Sequence, residues 1–187
     1  MKKLIALTLT FVLAFALTAC GAGVADVFVN TFKGGSYHMK AKIIGGGTET
    51  PMESYVKTGM TAATMEAQGQ TIRMIMRDNK THMINDAEKT VMVMPTQPGL
   101  GNTPEVNVNS MSYIGNGTAD FHGKNLPYDE YIQDVGGTTQ FFVDGNKLAG
   151  MRNINGGVVA DVVILEFDQN VPDSVFEIPA GYTQMSF

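Results

Sequence analysis

The sequence has one cysteine, no tryptophan and three histidines in 187 residues, and charged side chains make up only 17% of it. A lone cysteine has nothing to pair with, so no disulfide forms within the chain and stability must come from a hydrophobic core. Basic runs and arginine clusters are missing: 13 Lys and Arg stand against 18 Asp and Glu, a formal net charge of −5. That balance argues against a nucleic-acid partner. Catalytic signatures are missing too, with no G-x-S-x-G elbow, no H-E-x-x-H, no P-loop and no Rossmann glycine run. Gly115-x-Gly117 lacks a third glycine and reads as a turn. No helix start follows Gly45-Gly46-Gly47, so it is a flexible turn and not a phosphate loop. His38, His82 and His122 lie far apart at polar positions and read as solvated. The carboxylates are scattered. The expectation is a protein that is not an enzyme, with no cofactor and no metal site.

What is present begins at the N-terminus. Lys2 and Lys3 form a short positive region, and Leu4 to Ala19 is uncharged and rich in Leu, Ala and Phe. That stretch is short for a membrane span, which needs roughly 20 apolar residues, and has the build of a signal peptide. It closes with Leu17-Thr18-Ala19-Cys20-Gly21, which resembles the bacterial lipobox. The resemblance implies cleavage before Cys20 and a diacylglycerol on its thiol, often with acylation of the new amine. The chain then divides into a lipoprotein signal peptide (1–19), a lipid-anchored lead with a short helix (20–35) and one β domain (36–187). Without residues 1–19, 168 residues remain, and the net charge falls to −7 because two lysines leave and no acid does. An acidic chain is repelled by an anionic membrane surface, so lipid must hold it there, and two or three acyl chains suffice. The expected location is outside the cytoplasm, on the outer membrane where the source has one.

In the lead, Val24, Val27, Phe28 and Phe32 fall at helical spacing, and Gly34-Gly35 ends the segment. From Ser36 the period changes to two. Tyr37, Met39, Ala41 and Ile43 alternate with polar neighbours, and so do Met52 to Thr58, Ala63 to Gln68 and Ile72 to Arg77. Thr81 to Asn85 and Thr90 to Met94 follow. Pro95 to Ser110, with three prolines and two glycines, reads as a long loop of the kind that is often functional. Tyr128–Gln133, Thr138–Val143, Lys147–Arg152 and Val158–Phe167 resume the strands. Asp144-Gly145 and Asn155-Gly156 suit type I′ hairpin turns. The pattern predicts roughly ten strands in an antiparallel meander.

Val171-Pro172-Asp173-Ser174-Val175-Phe176-Glu177-Ile178-Pro179-Ala180-Gly181-Tyr182 resembles the closing segment of LolA-like bacterial proteins, the group of lipoprotein carriers and outer-membrane lipoprotein-sorting proteins. Ala87 to Pro95 is similar to that group's Lys-Thr, strand, Met-Pro segment. Gly123 to Tyr131 with Phe141 to Gly145 is similar to its later hairpins. The resemblance implies a mainly β fold: one strongly curved antiparallel sheet, a half-barrel or unclosed β-barrel, with a short N-terminal helix. It also implies a concave face that holds something apolar.

Methionine is the unusual component, 13 in all. Met74-x-Met76 and Met92-x-Met94 each put two thioethers on one face of a strand, and Met39, Met65 and Met83 can join them. Three readings stay open. The methionines fill a core, line an adaptable cavity for an acyl chain or other apolar ligand, or bind a soft metal such as Cu(I) together with His38 or His82. The reading taken forward is a lipid-anchored binding protein. Met65, Ile72, Met74, Met76, Met92 and Met94 would line the ligand site, and Pro95–Ser110 would form the lid. The other class is a structural lipoprotein that docks an envelope protein and holds no small ligand. An open or a filled concave face discriminates the two.

Overall fold

The computed structural model describes residues 23–67, 69–96, 108–134 and 136–186. The signal segment, Cys20 and most of the Pro95–Ser110 loop lie outside these residues. The described chain is one helix, α1 (Asp26–Gly34), and twelve strands: β1 (Ser36–Gly45), β2 (Thr48–Lys57), β3 (Met60–Ala67), β4 (Gln70–Arg77), β5 (Lys80–Asn85), β6 (Thr90–Pro95), β7 (Met111–Phe121), β8 (Lys124–Gln133), β9 (Thr138–Asp144), β10 (Lys147–Asn155), β11 (Val158–Asp168) and β12 (Thr183–Ser186). They form a single sheet in the order β12-β6-β5-β4-β3-β2-β1-β11-β10-β9-β8-β7. β7 and β12 are its two edges and do not meet, so the barrel is unclosed. All pairs are antiparallel except β6–β12, which is parallel. Two strands exceed the sequence expectation. β7 was expected as a turn around Gly115 and Gly117, and β12 was not anticipated.

The helix lies on one face of the sheet. Ala25, Val29 and Phe32 are buried there against Tyr37, Met39, Tyr131, Phe141, Met151 and Val162. The stripe is thus not the expected Val24, Val27, Phe28, Phe32: Val27 is 73% exposed and Val24 50%. The anchor explains the rotation. The buried Asp129 carboxylate on β8 accepts the Ala25 N–H at 2.6 Å, which satisfies a donor the helix start leaves free. Gly23 allows this close approach, because a Cβ there would sit 2.2 Å from Asp129 Oδ2. Tyr131 donates its hydroxyl to Asp26 Oδ1 at 3.2 Å, and burial followed by the Asp26 charge pushes that phenol well above its ordinary range. At the other end Gly35, at φ +62°, gives its N–H to the Phe32 carbonyl and ends the helix as the glycine pair predicted.

Phe32 also reports the curvature. Its ring centroid is 4.9 Å from that of Tyr37 on β1 and 6.1 Å from that of Phe141 on β9. Those strands are three sheet positions apart, ~14 Å on a flat sheet, so the helix-bearing face is concave. Bulges at Lys40/Ala41, Tyr113/Gly115 and Leu148/Gly150 help the sheet bend.

The opposite face carries two further clusters. The closing segment folds back over it, and Phe176 is buried against Ala62, Ile75, Ile84, Val91 and Val93. That is the structural work of the motif read in the sequence. Beyond it, Phe121 stacks on Phe142 with centroids 4.4 Å apart. Arg152 lies 5.4 Å from the Phe142 centroid and grips Asp161 with two nitrogens, at 2.8 and 3.0 Å. Gly150 sits under Phe121: a Cβ there would be 2.4 Å from both Phe121 Cζ and the Val162 carbonyl oxygen. The ring can swing but the backbone carbonyl cannot. Gly150→Ala is therefore expected to lower stability by ~1–3 kcal/mol, as overpacking does. A urea midpoint equal to wild type would refute that.

Candidate functional site

Strand parity and register build the site. On β2–β6 and β12, the face shared with α1 carries Met52, Met65, Ile72, Met74, Met76, Met83, Met92, Met94 and Met185. Met65 stands opposite Ile72. Met76 stands opposite Thr81, which stands opposite Met94. Between them runs an unbroken ladder: Met74 faces Met83, Met83 faces Met92 and Met92 faces Met185. Neighbouring side chains in such a row stand ~5 Å apart. All six residues expected from the sequence thus lie on one face, and Met83 joins them. Met185 was missed because β12 was missed.

Burial divides this face in two. On the β1, β8–β11 side it is filled by α1 and by Val108, which is 2% exposed and belongs to the same core. On the β4–β6 and β12 side it opens. Met74 is buried, but Met83, Met92 and Met185 are 38%, 37% and 41% exposed. A cleft of about 760 Å³ lies there, lined by Ile72, Met83, Met92 and Met185 with Arg73 and Asp86 among its polar residues. Asp86 accepts the Tyr182 hydroxyl at 2.7 Å and stands 3.5 Å from Arg73. That hydrogen bond holds the Tyr182 phenol above its ordinary range. The thioether floor suits an apolar group of varied shape, and seven of the thirteen lining residues around it are polar or charged.

The histidines do not join the methionines. His82 stands opposite Ile75 and Val93 on the other face, and His38 stacks on Tyr55 there. A mixed Met–His metal site is therefore overturned by strand parity. Nor are these two residues solvated, being 8% and 7% exposed. Burial, then Arg77 and Lys80, push His82 below its ordinary range. His38 places one ring nitrogen 3.0 Å from Asp168 Oδ2 and the other 3.0 Å from Glu53 Oε1. Among the described residues, no group of three or more His, Cys, Asp and Glu side chains is arranged to hold a metal ion.

The His38 site carries a pH dependence. Burial raises Glu53, but hydrogen bonds from His38 and Tyr55 and the Lys40 charge outweigh it, and its carboxyl lies below the usual range. The hydrogen bond from His38, then the Asn170 amide, lower Asp168. Carboxyls depressed by folding stabilise above their unfolded values, ~4, and that stability is lost as pH falls through the folded values. Wild type is expected to lose more stability between neutrality and ~pH 3 than the Glu53→Gln/Asp168→Asn variant. Equal losses in urea titrations at the two pH values would contradict this. The difference is modest, because both carboxylates are partly solvated.

No family model and no curated protein matches the chain. Solved structures do. An uncharacterized conserved protein from Thermus thermophilus superposes with a TM-score of 0.54 at 8% identity, covering 85% of this chain and 94% of that one. LprF from Mycobacterium bovis gives 0.49 at 8% identity over 85% and 95%. The LolA superfamily protein NE2245 from Nitrosomonas europaea gives 0.44 at 6% identity over 84% and 98%. The fold shared with the Thermus thermophilus protein is a mainly β one, here a single unclosed sheet with one helix on its face. At these identities the likeness is one of fold alone. What the sheet can do follows from its own side chains, which differ between the helix-filled half and the methionine half.

Proposed function

We propose that the chain is an extracytoplasmic lipoprotein, anchored by lipid on Cys20, that holds an apolar ligand such as a lipid or a lipoprotein acyl chain. It is not an enzyme in this reading, and it needs no cofactor. The supporting observation is the ladder Met74–Met83–Met92–Met185 with three of its members exposed on the floor of an open cleft. Exposed large apolar side chains in a row are unfavourable in water and become favourable once an apolar ligand covers them. Met65, Ile72, Met76 and Met94 flank the row. The soluble chain from Gly21 to Phe187 is expected to retain an adduct in the lipid mass range when incubated with a bacterial lipid extract and sprayed natively. A bare mass would sink the reading. It would favour the alternative, an interaction lipoprotein that docks an envelope protein, for which the dry, helix-filled half of the same face is the supporting feature.

A further inference from the structure

The two ends of the sheet differ in chemistry. At one end, the turns between β2 and β3, β4 and β5, β7 and β8, and β9 and β10 and the strand ends beside them bring together Lys57, Arg77, Asp78, Lys80, His122, Lys124, Asp144 and Lys147, so every turn there carries or adjoins a charged residue. At the other end, β1–β2 turns through Gly46-Gly47 and β10–β11 through Gly156-Gly157, without a charge in either turn. The β8–β9 connection has only Asp134. Exposed apolar side chains gather at this end: Tyr113 and Ile114 early in β7, Ile132 near the end of β8, and Val158 and Val159 at the start of β11. Val158 is 71% exposed. Among the described residues of the sheet, one exposed large apolar side chain, Leu165, lies beside the charged turns, where it shares a cavity with His122, Lys124 and Lys147.

The chain's route places the start of the described residues, Gly23, on the same side. α1 starts beside Asp129 and Tyr131, late in β8, and finishes beside Tyr37 at the start of β1. β8 ends, and β1 begins, at opposite ends of the sheet, so the helix N-terminus points toward the glycine-tipped end. Val24, half exposed, precedes it. Cys20 is three residues before Gly23, a reach of at most ~11 Å. A lipid on Cys20 would then enter the bilayer within that reach of Gly23, on the side of this rim.

We infer that the glycine-tipped rim formed by β7, β8, β10, β11 and the β1–β2 turn, whose turns hold one charge, Asp134, is a membrane-contact surface that rests on the lipid interface. The inference relies on the reading of Cys20 as the anchor. Val158, Val159, Ile132 and Ile114 enter the interfacial layer, Tyr113 sits where amphipathic rings prefer to lie, and the glycine turns admit headgroups close to the backbone. Asp134 is the one charge in the rim's turns, so the rim meets little of the repulsion that an anionic surface exerts on the acidic chain as a whole. The contact stops at the β5–β6 turn, where Asp86, Glu88 and Lys89 stay in water. The methionine cleft, lined by residues on both sides of that turn, then opens at the membrane-facing end, where an acyl ligand would enter or leave.

The absence of tryptophan makes the test clean. The chain from Cys20 to Phe187 is coupled through its one thiol to a maleimide-bearing phosphatidylethanolamine in phosphatidylcholine vesicles. Val158→Trp and Ile132→Trp report the rim, and Asn146→Trp the opposite end; circular dichroism verifies each fold. Both rim indoles are expected to shift to the blue and to lose most of their emission to brominated phosphatidylcholine, while the Asn146 variant keeps its own. Rim indoles that stay unquenched, or quenching equal at the two ends, overturn the proposal. Because the anchor is made chemically, either result is independent of whether cells acylate Cys20, which the mass of the Cys20 peptide from membranes decides separately.

Discussion

Phe32→Ala is expected to lower the unfolding free energy by ~3–5 kcal/mol, the range for a buried aromatic truncated in place. Phe32 is 5% exposed and touches three rings, Tyr37, Phe141 and Phe167, at 4.9, 6.1 and 5.0 Å between centroids. No other side chain of the helix meets rings from three strands. A nine-residue helix is too short to persist alone, since isolated helices below ~12–15 residues are marginal in water. Docking, not propensity, therefore holds α1 in place, and Phe32 is the centre of the docking. Against a typical total of ~5–15 kcal/mol the loss is large enough to release the helix before the sheet melts. Hydrogen exchange over Asp26–Gly34 is expected to accelerate more than exchange in β9 and β10. Val27→Ala, at 73% exposure, serves as the control and should stay within ~0.5 kcal/mol of wild type. A Phe32→Ala loss under ~1 kcal/mol would show that Asp129 and Val29 suffice to hold the helix.

The same helix marks where sequence reading stops. Alternation by two revealed most strands, because a sheet covered differently on its two faces writes that difference into every second residue. It also put Met65, Ile72, Met74, Met76, Met92 and Met94 on one face, and the structure keeps them there. A two-residue turn at Asp78-Asn79 fixes Met74 opposite Met83, so part of the ladder was readable in advance. β7 was not. As an edge strand with Gly115, Gly117 and a bulge, it alternates weakly, and Gly117 is required by the Tyr128 ring that packs over it. β12 was hidden for another reason: four residues pair in parallel with β6 only after the Val171–Tyr182 segment has crossed the far face. His38 and His82 sat at alternating polar positions that ordinarily face water. Here that face is closed: His82, between Ile75 and Val93, is 8% exposed, and His38 is enclosed by Tyr55, Glu53 and Asp168. The helix stripe differs from the expected one because a buried carboxylate 104 residues from Ala25 in sequence, and not the helix's own pattern, fixes its rotation.

Replacing Met83, Met92 and Met185 together by Gln is expected to weaken an apolar ligand at least ~30-fold while leaving the fold intact. Each side chain has roughly 40% of its surface in water. Full burial of a methionine contributes ~1.5–3 kcal/mol, so covering what remains exposed contributes somewhat under 1 kcal/mol per residue. Three such contributions reach ~2 kcal/mol, or ~30-fold in affinity. Glutamine makes the loss greater, because its amide must shed water under an apolar ligand without gaining a partner. It keeps the length and adds no charge, which avoids setting like charges directly across adjacent strands, where they destabilise a sheet. Met74, buried in the same row, is left untouched so that stability and binding are not altered together. Titration of the delipidated chain with a fluorescent fatty acid measures the effect. Val158→Gln, outside the cleft, should bind as wild type does in solution. If the triple variant also bound as wild type, the ladder would be a core feature of the sheet and the ligand would have to sit elsewhere.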